Sequence, residues 1–138
     1  MTTDSSFAVQ TALYSFLTAT APLTALLAGG AGGIFDHVPA GTPFPYMVLG
    51  DISSAPFDTQ GVFGNEIIAE IYIYSRAHGM QEMKTILSVL HEALHEADFP
   101  VTGQFLILCR RMGAEMRLED DGETRRAIAR FHILTEPQ

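Results

Sequence analysis

The ten residues Glu66 to Ser75, EIIAEIYIYS, alternate so regularly that they read as a β-strand. Successive side chains on a strand point to opposite sides of the sheet. Ile67, Ala69, Ile71 and Ile73 therefore share one face, and Glu66, Ile68, Glu70, Tyr72 and Tyr74 share the other. The first face is wholly apolar and demands a covering layer. The second is half polar, so it meets solvent or a neighbouring surface.

Two amphipathic segments can supply the cover. From Phe7 onward, Val9, Ala12, Leu13, Phe16 and Leu17 recur at helical spacing behind Asp4, Ser5 and Ser6, any of which can cap free N–H groups. Ala21-Pro22 breaks or kinks that helix, and Pro22 to Leu27 continue it briefly before the run AGGAGG stops it. Because those glycines follow a helix instead of opening one, they read as a helix stop and not as a phosphate cradle. A second helix is predicted over 79–97, burying Met83, Ile86, Leu87, Leu90, Ala93, Leu94 and Ala97, and Asp98-Phe99-Pro100 ends it.

The remaining strands are punctuated by turn residues. A short strand is expected near Ile34 to Val38, where Asp36 and His37 fall on opposite faces and so make no catalytic pair, and another begins at Tyr46. SSAPFDTQGVFGN, residues 53–65, reads as a long hairpin loop that also carries Phe57, Val62 and Phe63. Those three side chains either form a docking tip or fold back onto the sheet. Phe105 to Leu118 and Thr124 to Thr135 form a closing hairpin. A two-residue Asp121-Gly122 turn sets Met112 opposite Phe131, Ala114 opposite Ala129, Met116 opposite Ala127, and Arg117 opposite Arg126. The fold class is α+β: one domain over 1–138, a mostly antiparallel sheet of four to five strands, and two helices packed on one face.

Charge excludes several functions. The net charge is -8 over 138 residues, and no Lys or Arg precedes Arg76, so wrapping nucleic acid is disfavoured. The single Cys109 permits neither an internal disulfide nor a thiolate zinc framework and reads as a buried thiol in a reducing compartment. Residues Ser5 to Phe35 carry no charge, yet Asp4 stands where a basic leader would need cations, and Pro22 and the glycines interrupt the apolar run, so no membrane span is expected.

One motif invites chemistry. His91-Glu92-Ala93-Leu94-His95 spells H-E-x-x-H, in which two imidazoles one helical turn apart hold zinc and the glutamate activates its water. On a wheel centred on Leu90 the two histidines fall about 100° and 140° away, on the polar flank. The quick candidate for a third ligand, a further His after a glycine turn, is absent, since Asp98 and Val101 occupy those positions. The motif therefore reads as the solvated flank of a helix, with a small zinc hydrolase as the remote alternative. No metal, cofactor or catalytic residue is assigned.

Four stretches carry a family resemblance: PLTALLAGG ending the N-terminal helix, IFDHVPAGTPFPYMVLGD with its Pro45-Tyr46 entry into a strand, AEIYIYSRAHGMQEMKTILSVLHEAL, and the closing RRAIARFHILTE. In that order and spacing the chain resembles the tail-terminator, or tail-completion, family of long-tailed phages and gene transfer agents. The resemblance implies a protein without enzymatic activity that forms a homo-hexameric ring on the head-proximal end of the tail tube. It also implies assembly in the host cytoplasm, with the tube protein and a head-side stopper or connector as partners. DNA would pass through the lumen without specific binding, and no membrane is involved. A stopper or neck protein of the same head-tail junction is the runner-up. Under this reading the partner or subunit interface falls on Phe57, Val62, Phe63, Glu66, Glu70, Tyr72 and Tyr74.

Overall fold

The computed structural model describes residues 4–59 and 61–138, with the side chains of 59 and 62 outside that description. Five strands, β1 (Ile34–Phe35), β2 (Tyr46–Thr59), β3 (Val62–Ser75), β4 (Gln104–Leu118) and β5 (Arg125–Pro137), form one sheet in the order β1-β2-β3-β5-β4. Only β1 and β2 are parallel, and the other three pairings are antiparallel. The alternating strand is therefore central, held between β2 and β5. Ile67, Ile71 and Ile73 are fully buried there, and each contributes about 1.5–3 kcal/mol by leaving water.

Helices α1 (Ser6–Thr18) and α3 (Gln81–Leu94) cover that apolar face, α1 over the β1-β2 side and α3 over β3, β5 and β4. Val9, Leu13 and Leu17 of α1 and Met83, Ile86, Leu90 and Leu94 of α3 enter one core with the inward residues of the sheet. A short helix, α2 (Ala21–Thr24), carries Pro22 in its first turn, where a missing N–H costs nothing. The glycine run then forms a 3-10 turn at Gly30–Gly33 before β1. Asp4, just outside the N-cap Ser5, satisfies the first N–H of α1 by accepting from Ser6 at 2.8 Å. Ser5 instead spends its hydroxyl on Thr135 at 2.7 Å, in a buried bond that ties the start of α1 to the end of β5.

The α+β class, the mostly antiparallel sheet and the two main helices are as expected, and several local features differ. The first short strand spans two residues, and α3 runs over Gln81–Leu94, inside the predicted 79–97. The closing hairpin holds the predicted register at Ala114-Ala129, Met116-Ala127 and Arg117-Arg126. Its connection is wider than a two-residue turn: the Glu119 N–H donates to the Thr124 carbonyl at 2.7 Å. Asp121 braces it by accepting from the N–H groups of Glu123 and Thr124 and from the Thr124 hydroxyl. Met112 is not opposite Phe131, because a bulge between Arg111 and Gly113 puts Arg111 there.

Residues 53–65 depart most from expectation. They are not a long loop but the outer ends of β2 and β3, paired from Ala55-Glu66 through Thr59-Val62. Gly61, at φ 86, supplies the left-handed backbone the turn needs. Pro56 is tolerated because this part of β2 is a sheet edge.

A candidate assembly surface

Asn65 is the first residue of β3 to pair with β5, opposite Thr135, so residues 57–59 and 62–64 leave the sheet as a two-stranded arm. Paired residues share a face and neighbours alternate. Phe57, opposite Gly64, and Phe63, opposite Asp58, therefore lie on opposite faces of the arm. Both are exposed, at 42% and 49%. Neither folds back onto the core. The side chain of Val62, expected at the same tip, lies outside the described residues.

The face of β3 turned away from the helices is held together by charge. Glu70 stands directly opposite Arg130, whose Nε lies 2.8 Å from Glu70 Oε2 and whose second nitrogen reaches Glu115 at 3.1 Å. Tyr72 donates its hydroxyl to Glu70 at 2.9 Å. Burial first, and then that hydrogen bond, push the Tyr72 phenol above its ordinary range. Glu66 meets His132 Nε2 at 3.0 Å. Tyr74 stacks on Tyr46 at 5.1 Å between ring centroids, Tyr46 contacts Phe44 at 5.0 Å, and the Arg76 guanidinium sits 4.4 Å over the Phe44 ring. Arg126 approaches the Tyr72 ring and lies 3.1 Å from Glu119, although its Nε–H is not aimed at that oxygen. Glu66, Glu70, Tyr72 and Tyr74 thus fall on one open face, as alternation requires, and each is already engaged by a neighbour. The open face is a preorganised surface rather than a set of loose side chains.

The H-E-x-x-H residues do not converge. His95, the C-cap of α3, holds its ring out in solvent 4.0 Å from Glu96, whereas the Nε2 of His91 is enclosed. Among the described residues, no group of three or more His, Cys, Asp or Glu is placed to hold a metal. His91 is also not on a solvated flank. Its ring packs against Phe131 at 5.9 Å and its Nε2 is enclosed, because the gap between α3 and the sheet beside Arg111 and Met116 takes in a residue that lies off the helix's apolar centre. That burial, with a smaller push from Arg111, lowers its pKa. Asp36 and His37 are both exposed at the end of β1.

Sequence reasoning missed two features. Arg130 and His132 complete the open face, but the pairing of β3 with β5 that brings them there spans about sixty residues and has no local signal. The edge strand β4 is the other: Phe105, Ile107, Met112 and Leu118 are all about half exposed along it. Its alternation was legible, but its position at the sheet edge was not. None of the helices is long and apolar enough to cross a membrane among the described residues.

Comparisons with known proteins give the chain a family. The family model for tail completion protein gp17 matches residues 11–136. The tail completion protein gp17 of Bacillus phage SPP1 is 29% identical over 91 residues, 66% of this chain and 67% of the phage protein. A chain in the solved virion of a native gene transfer agent particle superposes with a TM-score of 0.83 at 27% identity, covering 93% of this chain and 94% of that one. The chain therefore belongs to the tail completion protein gp17 family, a family of structural tail-assembly proteins.

Proposed function

We propose that this protein is a tail terminator: copies of it form a ring, six in number, that caps the head-proximal end of the finished tail tube and joins it to head-side connector proteins. The observation that carries this reading is the arm. A two-stranded ribbon with one exposed phenylalanine on each face is suited to insertion between two surfaces, as a subunit wedged among ring neighbours and a tube end requires. The open face with Glu66, Glu70, Tyr72 and Tyr74 presents fixed charge and aromatic rings to a further partner. The net charge of -8 fits a lumen that passes DNA without holding it, since few free cations are available to phosphates.

Mixing purified protein with tail-tube protein tests the reading. Tubes that stop growing and carry a terminal ring support it, and replacing both Phe57 and Phe63 by Ser should reduce capping while leaving the far-UV spectrum unchanged. Tubes that lengthen unaffected by the wild-type protein sink the terminator role and favour a stopper or neck protein acting on the head side. A solved ring whose lumen is predominantly arginine would overturn the account of DNA passage.

A further inference from the structure

The exposed large hydrophobic side chains fall at the two ends of the strand order, on α1 and the β2-β3 arm and on the edge strand β4, and the same two ends differ in charge. At one end, Phe7 and Tyr14 project from α1, which packs over β1 and β2, and Phe57 and Phe63 project from the arm. Asp4, Asp36, Asp51 and Asp58 are exposed around them, and the first 75 residues contain no Lys or Arg. At the other end, the edge strand β4 exposes Phe105, Ile107, Met112 and Leu118. Between these stand Arg110, Arg111 and Arg117, exposed and in no ion pair among the described residues, while the one acid of the strand, Glu115, is already engaged by Arg130.

Both ends are sheet edges. β1 covers β2 only at Met47 and Val48, and β4 has no outer partner among the described residues. A strand edge protected against association carries charge in place of exposed apolar bulk, whereas β4 alternates the two. Its bulges beside Ile107 and Met112 interrupt the outward row of N–H and C=O groups, so any contact there is made by side chains and not by an unbroken ladder.

We infer that the acidic β2–α1–arm side of one copy docks on the basic β4 edge of a second copy, apolar residues against apolar residues and aspartate against arginine. Charge complementarity selects the occupant, because the surface that fits β4 is the one this chain carries at the other end of its strand order. The two patches differ, so the contact is head-to-tail and propagates from copy to copy. It closes into a ring when the rotation per step closes, and a two-fold dimer is not its product. The inference deepens the ring reading above and rests on it.

Charge reversal provides the test. One variant carries Arg110→Glu and Arg117→Glu, the other Asp51→Arg and Asp58→Arg, with Asp58→Arg alone in reserve should the bulge at Asp51 not accept arginine. Assembly is read as mass in solution over a concentration series, with and without tail-tube protein, and folding is checked by circular dichroism. Each variant alone should assemble at least about tenfold more weakly than wild type, since like charges then face each other. An equimolar mixture should recover wild-type assembly, because each reversed side meets the reversed side of the other variant. Variants that assemble like wild type, or a mixture as weak as its components, would overturn the inference and leave the ring intact. A wild-type chain that never assembles, alone or on tubes, would remove the ring reading itself.

Discussion

The ring of Tyr72 fills the space that a side chain at Gly50 would need: a Cβ built on Gly50 would lie 2.5 Å from the ring. Gly50 sits where the register of β2 slips between Leu49 and Ile52, and the aromatic ring covers the bare backbone there. Gly50→Ala should therefore push Tyr72 aside, break its hydrogen bond to Glu70, and cost about 1–3 kcal/mol. Denaturant unfolding of Gly50→Ala, Tyr72→Ala and the double variant checks this. The double variant should lose clearly less than the two single losses added together, because the clash disappears with the ring. Strict additivity would count against the coupling.

A second glycine controls the arm. A Cβ at Gly64 would meet the Thr135 carbonyl oxygen at 2.8 Å and the Phe57 carbonyl oxygen at 2.9 Å, both backbone atoms that cannot rotate away. Gly64→Ala should force the strands apart at the root of the arm, with a loss of about 1–3 kcal/mol. Hydrogen exchange on residues 55–58 should rise more than exchange on the β4-β5 hairpin. Equal protection in wild type and variant would show that the arm root has room to relax.

These two sites mark how far the sequence was legible. Strict alternation over Glu66 to Ser75 and 3.6-residue spacing in both helices disclosed the layers, because burial on one face leaves a period in the sequence. The register at Ala114-Ala129 and Met116-Ala127 was legible for the same reason, and it failed at Met112 because a bulge adds a residue without any compositional mark. Ser, Pro, Gly and Asn in residues 53–65 mimic a loop, although one left-handed glycine at the tip is enough to let β2 and β3 pair almost to their ends. The open face was legible by half. Glu70 could be placed on it from alternation alone, whereas its partner Arg130 arrives only after a crossover through α3 and β4.

Cys109 should behave as a core residue. It is 1% exposed on β4, facing the helices, and burial pushes its thiol up to about 11. Against an ordinary value of 9.0, that rise leaves about a hundredfold less thiolate near neutral pH. Labelling by an aromatic disulfide should be slower in the native chain than in denaturant by at least about that factor. Rapid native labelling would mean that β4 opens at the sheet edge far more readily than its packing indicates.

The H-E-x-x-H stretch should reveal itself through pH and not through zinc. In the unfolded chain His91 takes up a proton as pH falls through its ordinary value of 6.5, whereas in the fold burial against Phe131 and the nearby Arg111 hold it neutral to a lower pH. Between those two values the unfolded state binds more protons than the native state, so this group's contribution to stability is fully present above 6.5 and is lost as pH falls toward the lowered folded value. His91→Leu keeps an apolar body in the same gap and removes the titration. Unfolding measured at steps from about pH 7 down to about pH 5.5 should therefore show a shallower decline in His91→Leu than in wild type, above the range in which carboxylates titrate. Because His91 Nε2 is enclosed while His95 is exposed, and no third ligand stands near among the described residues, added zinc should not raise the melting temperature of either protein. Parallel pH profiles would show that His91 is solvated after all, and a zinc-dependent rise lost in His91→Leu would restore the metal site.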